Sequence, residues 1–165
     1  MARRRWWFAA VAVVLVLAGV SPARAQAVHR TIATLALQHG VIGIDALSTG
    51  HVLIGASTDA GNATVSLAAD AANELADSIV RIRARGVGAR TTRVYRTVAT
   101  DPATGAGLQF ARHITNGAST YRLFFSNGDA QGFPMDVSRR ELTLVVRAVR
   151  RAVRTARTLA AADSA

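Results

Sequence analysis

The chain has 165 residues, with 20 Lys+Arg against 10 Asp+Glu and a formal net charge of +10; every one of the cations is Arg, alanine fills 34 positions and cysteine none. The missing thiol excludes a disulfide scaffold, a Cys-ligated zinc, a thiol nucleophile and a lipidated cysteine. The apolar half of the composition excludes a disordered polyelectrolyte, and the length fits one domain.

The first segment reads as an address. Arg3, Arg4 and Arg5 precede a continuous apolar run, Phe8 to Val20, and Ala23-Arg24-Ala25 fits the small-x-small cleavage rule of a secretory signal peptide. The run is short for a spanning helix, which needs ~20 apolar residues; an uncleaved anchor is the alternative. Cleavage between Ala25 and Gln26 leaves 140 residues and takes four Arg but no acid, so the charge falls from +10 to +6. The expectation is a signal peptide over 1–25 and one exported domain, periplasmic or secreted, over 26–165.

Beyond it, His29 to Leu37 predicts a strand, Gln38-His39-Gly40 a turn, and Val41–Leu47 and His51–Ala56 two more strands. After the turn-rich Thr58 to Asn62, Ala63, Val65 and Leu67 alternate with polar residues, the period of a half-buried strand. From Asp70 the spacing changes: Ala72, Leu75, Ala76, Ile79 and Ile82 recur every three or four residues. That predicts a helix with Asp70 as its N-cap and Gly86 with Gly88 at its end. The second half repeats this order. Thr91–Ala99, Leu108–Thr115, Thr120–Ser126 and Phe133–Val137 read as strands, with Asn116-Gly117 a strong hairpin signal, and a long helix begins at Ser138.

The fold class expected is therefore α+β: two antiparallel four-strand meanders, each followed by a helix that packs on a sheet face, with pseudo-repeats at 28–86 and 91–160. A shift of seventy residues lays Leu53 on Leu123, Val65 on Met135, Leu67 on Val137, and Leu75, Ala76 and Ile79 on Val145, Val146 and Val149. The apolar pattern repeats better than the letters do.

The last helix carries the clearest local signal. Ser138-Arg139-Arg140-Glu141 is a capping box, and Val137 with Leu142 occupy hydrophobic-staple positions. Leu142, Val145, Val146, Val149, Val153 and Ala156 then share one face, with Arg140, Arg147, Arg150, Arg151, Arg154 and Arg157 opposite. Such a basic amphipathic helix either packs its apolar face on its own sheet and leaves the Arg face in water, or meets an anionic membrane surface or acidic envelope polymer. Arg147, Arg150, Arg151, Arg154 and Arg157 are the candidate anion-binding residues. A second basic cluster runs through Arg81, Arg83, Arg85, Arg90, Arg93 and Arg96; Arg at a helix C-terminus meets the dipole favourably without any ligand.

Catalytic patterns are missing. His29, His39, His51 and His113 show no metal-ligand spacing, and there is no G-x-S-x-G elbow, P-loop or dinucleotide glycine pattern. No catalytic residue, metal or cofactor is assigned. Asn127-Gly128-Asp129 followed by Gly132 lacks the later Glu of a calcium loop and reads as a turn. The order of four strands and a helix, twice, is similar to that of nucleic-acid-binding PUR-type repeats. The resemblance is of element order alone, and the export signal and the few aromatics of the second half argue against a nucleic-acid partner. The leading expectation is a small exported, non-enzymatic binding protein that contacts anionic envelope components through its last helix. The alternatives are a small exported hydrolase, in which His113 or His51 meets an Asp or Ser, and a self-associating structural module; no oligomeric state follows from the sequence.

Overall fold

The computed structural model describes residues 27–86, 92–128 and 132–164. The proposed signal segment, Gly88, Arg90 and the Asp129 turn position lie outside the described residues. Two antiparallel four-strand sheets are present. The first comprises β1 (His29–Leu37), β2 (Gly40–Leu47), β3 (His51–Thr58) and β4 (Gly61–Ala68), the second β5 (Arg93–Thr100), β6 (Gly107–Thr115), β7 (Ala118–Ser126) and β8 (Gly132–Val137), each ordered as a simple meander. Helix α1 (Ala69–Ala84) follows the first sheet and α2 (Arg139–Asp163) the second. The ββββα arrangement read from the pattern is the one observed, twice.

Alternation decides which face each sheet buries. Ile42, Ile44 and Ala46 on β2, Val52, Ile54 and Ala56 on β3, and Ala63, Val65 and Leu67 on β4 all lie in the core. The inner face of the second sheet carries Leu108, Phe110, Ile114, Tyr121, Leu123, Phe125, Phe133, Met135 and Val137. Two near-parallel ring pairs fill it, Phe110 with Tyr121 at 6.3 Å and Phe125 with Phe133 at 5.8 Å between centroids. All these side chains except Ile114 belong to one continuous core.

The helices are exchanged between the halves. Helix α2 lies on β1, β2 and β3 of the first sheet, and α1 lies against β5 and β6 of the second as well as β3 and β4 of its own. They run antiparallel along each other, with Arg83 bonded to Thr143, Asp77 to Arg150 and Asp70 to Arg157. Leu142, Val145, Val146, Ala148, Val149, Ala152, Val153 and Ala156 of α2 are all buried. At roughly 1.5–3 kcal/mol for each large aliphatic side chain, that face anchors α2 far more firmly than any surface contact could.

Three sequence expectations need correction. Asp70 is not the N-cap of α1: β4 runs straight into the helix at Ala69, Ala68 stands at the cap with no side-chain bond, and the Ala69 N–H is met by Gly50 O at 3.0 Å. The turn before β3 thus caps α1, and Asp70 sits in its first turn, where a carboxylate favours the dipole. Next, α1 ends at Ala84, before the glycines, with Arg85 extended. Finally, Leu53 does not correspond to Leu123. Ile54 pairs with Val65, whereas Leu123 pairs with Met135. Leu123 and its partner are one residue further apart along the chain than Ile54 and its partner, so β3 maps on β7 with a shift of sixty-nine, and a one-residue slip turns a side chain to the other face. Ile54 is the core residue and Leu53 faces outward.

Candidate anion-binding surface

The start of α2 is fixed by local chemistry. The Ser138 hydroxyl accepts from Glu141 N at 3.2 Å, and Glu141 Oε2 accepts from Ser138 N at 2.7 Å, completing the capping box. The other oxygen, Oε1, accepts from Gln38 N at 2.7 Å, so the same carboxylate ties the β1–β2 turn to the helix. Its bond with the Ser138 hydroxyl, followed by the two backbone N–H groups, holds the Glu141 carboxyl below the ordinary range.

Along α2 the five candidate Arg divide into two sets. Arg150 Nη2 donates to Asp77 Oδ1 at 2.6 Å, and Arg157 Nη2 to Asp70 Oδ1 at 2.6 Å. These pairs fasten α2 to α1; exposed pairs of this kind contribute about 0–1 kcal/mol each. Arg147, Arg151 and Arg154 are exposed and have no ion-pair or side-chain hydrogen-bond partner among the described residues. With Arg140 they follow one line on the helix at intervals of seven, four and three residues.

The fold adds a cation the sequence period does not show. In β1 the register shifts between Thr31 and Ala33, so Ile32 is an extra residue. This bulge re-aims the strand beyond it: Arg30 pairs with Ala46, whose side chain faces the helix. Arg30 therefore comes to α2, where it lines a shallow depression with Arg154, Thr155, Thr158 and Leu159. The result is a linear cationic surface from Arg140 to Arg154, ended by a two-Arg notch.

The apolar face of α2 is buried against the first sheet, so this helix has no free apolar stripe to lay into a bilayer. Among the described residues no helix is long and apolar enough to cross a membrane. Arg83, Arg85 and Arg93, from the other basic cluster, gather around the end of α1. The Arg85 guanidinium lies 4.8 Å from the Tyr95 ring centroid, and the phenol is pulled below its ordinary value, first by its bond with Arg93. Arg93 and Arg96 point to opposite faces of β5, so this cluster forms no single patch with both.

One Arg belongs to the interior. Arg112 is 4% exposed. Its Nη1 donates to the Ile82, Arg83 and Arg85 carbonyls at 2.8, 3.1 and 2.8 Å, and its Nε and Nη2 reach Ser119 Oγ at 3.1 and 3.0 Å. A strand of the second sheet thus caps the C-terminus of α1, placing a full charge where the helix dipole is negative.

The histidines are dispersed. His51 Nδ1 meets the Thr49 carbonyl at 3.1 Å, and His29 Nε2 lies 3.1 Å from Asp45 on the outer face of the first sheet. Neither His51 nor His113 hydrogen-bonds a carboxylate or a Ser hydroxyl among the described residues, the geometry the hydrolase reading requires. No group of three His, Asp or Glu suited to a metal occurs among them. No protein-family model matches the chain, and no curated protein matches it either.

Proposed function

We propose that the protein is a small exported, non-enzymatic binding protein whose α2 surface contacts an acidic polymer of the cell envelope. The observation that supports this reading is the line formed by Arg140, Arg147, Arg151 and Arg154, whose charges no neighbouring acid answers among the described residues and which Arg30 extends. Fourteen residues of helix span about 21 Å, a row suited to successive carboxylates or phosphates on a linear chain. The buried apolar face favours a soluble polyanion over a bilayer, because lipid binding would rest on charge alone.

The test uses the chain from Gln26, with polygalacturonate as polyanion and phosphatidylglycerol vesicles as the membrane arm. Binding to the polymer should weaken steeply with salt, since exposed charges are screened over about 10 Å at 0.1 M. Arg147, Arg151 and Arg154 changed together to Gln should abolish it without changing stability. If the triple variant binds as the parent does, the reading is wrong; if only vesicles bind, the partner is a membrane.

A further inference from the structure

A larger cavity lies away from the Arg line, where the two halves meet. It has about 520 Å³ of space, within the usual range of small-molecule sites, and opens between the β1–β2 turn, the start of β7, the end of β8 and the first turn of α2. Tyr121 and Val137 supply its apolar lining; Ser119, Arg122, Asp136 and Arg139 supply the polar groups.

Two of the polar groups are held by neighbouring side chains. Ser119 Oγ accepts two N–H bonds from the buried Arg112. That hydroxyl is turned to the core face of β7, which Tyr121 shares, whereas Arg122 and Asp136 project from the other face. Arg122 is clamped by Asp136, Nε to Oδ1 at 2.6 Å and Nη2 to Oδ2 at 3.1 Å. This bidentate fork leaves Nη1 for a further acceptor. It also holds the Asp136 carboxyl below its ordinary range, with Arg122 the main cause and His39 and His113 adding to it. Asp136 and Arg122 cancel in charge, so the net positive charge of the cavity comes from Arg139, whose guanidinium has no partner among the described residues. At the start of α2 the Glu141 amide is already taken by the Ser138 hydroxyl and the Ser138 amide by Glu141. The walls are joined by the Gln38–Glu141 bond.

We infer that this cavity is a binding site for a small molecule carrying an oxyanion, a carboxylate or a phosphate, independent of the polyanion surface. Arg139 supplies the opposite charge, Arg122 Nη1 donates to the oxygens, and the apolar part of the ligand meets the lining that Tyr121 and Val137 supply. A donor preset by Asp136 distinguishes this site from the solvated Arg of α2: less side-chain freedom is lost on binding.

Two probes separate the sources of the oxyanion. Titration of the ¹⁵N-labelled chain from Gln26 with inorganic phosphate and, separately, with succinate is followed by amide shifts. Saturable shifts are expected at Ser119, Thr120, Arg122 and Arg139 with at least one probe, and the one that binds more tightly identifies the class. Arg139→Gln should weaken that binding about tenfold, equivalent to ~1.4 kcal/mol, whereas Arg151→Gln should leave it unchanged. Arg139 is exposed and outside the core, so its variant keeps the fold, which the unshifted remainder of the spectrum verifies. Absence of saturable shifts with both probes overturns the inference. So does unchanged affinity in Arg139→Gln, or shifts confined to α2 beyond Arg147.

Discussion

Replacing Arg112 by Met tests the most consequential buried charge in the fold. The change keeps the length and much of the apolar stem while deleting all the guanidinium donors. The last carbonyls of a helix have no partner within it. At the end of α1, Ile82 O would retain only the long 3.4 Å bond from Arg85 N, and the Arg83 and Arg85 carbonyls would lose donors at 3.1 and 2.8 Å. The Ser119 hydroxyl would lose two more, at 3.1 and 3.0 Å. A bond to a charged donor is worth about 1.5–3 kcal/mol and an orphaned buried acceptor costs about 1–3 kcal/mol. Against this, the carbonyls nearer the surface can rehydrate, and the desolvation cost of the buried guanidinium is recovered. The balance is a loss of about 3 kcal/mol, or ~10 °C in Tm for a chain of this size. Arg112→Lys keeps the charge but not the fork that reaches the carbonyls and Ser119 together, so it should fall between parent and Met variant. Urea unfolding followed by circular dichroism measures both. A Met variant within about 0.5 kcal/mol of the parent, the range of ordinary surface changes, would refute the argument that this side chain caps α1.

Other consequences follow from the same geometry. Ser138→Ala removes one half of the capping box and should cost about 1 kcal/mol in urea unfolding. Ile54→Ala should cost about 2–5 kcal/mol and Leu53→Ala clearly less; the reverse order would contradict the register with β4. Acid should destabilise the fold through Asp101, Asp136 and Glu141. Asp101 is held low first by the Ala103 N–H and then by the Thr104 hydroxyl, Asp136 by Arg122, and Glu141 by Ser138. Because each folded pKa lies below its unfolded value, these groups stabilise the protein above the ordinary carboxylate values of 3.8 and 4.5. That stabilisation is lost as the pH falls below them. Thermal melts from pH 6 downward, fixed at one ionic strength, should show Tm falling in that window, and a flat profile there would show that these bonds contribute nothing to stability.

The sequence made the elements legible because alternation and helical spacing are local properties. Ala63, Val65 and Leu67 report a buried strand face whatever lies on the other side of it, and Ser138 with Glu141 reports a helix start from four residues. The partner of a face is not local. Nothing in the spacing of Leu142, Val145 and Val149 says that α2 belongs over β1–β3 rather than over the sheet it follows. Arg30 was hidden for a different reason: it joins the α2 surface only because Ile32 is an extra residue in β1, and period-two reading assigns it the opposite face. Arg112 was within reach. Leu108, Phe110, Arg112 and Ile114 occupy alternate positions of one strand, which places an Arg on a core face and calls for buried acceptors. What the pattern could not supply is their identity, since the end of α1 lies some thirty residues earlier in the chain.

Exchange of the helices also shapes what the Arg of α2 can do. A helix covering only its own sheet could pair its cations with acids of that sheet or leave them all in water. Here α1 lies alongside and presents Asp70 and Asp77, so Arg157 and Arg150 on the shared side are drawn into inter-helix bonds. The cations on the far side, Arg140, Arg147, Arg151 and Arg154, are left as a row whose spacing is set by a buried face. A flexible basic tail of equal charge would lose conformational freedom on meeting a polyanion, at about 0.5–1.5 kcal/mol for each immobilised long side chain plus the ordering of its backbone. On α2 the backbone term is already met by the core. The row should therefore discriminate among polyanions by the spacing of their charges, not only by their number. Polygalacturonate competed against a polyphosphate of equal total charge would read that preference as a difference in the salt concentration at half release. Equal release points would mean that only the charge of α2, and not its geometry, contributes to binding.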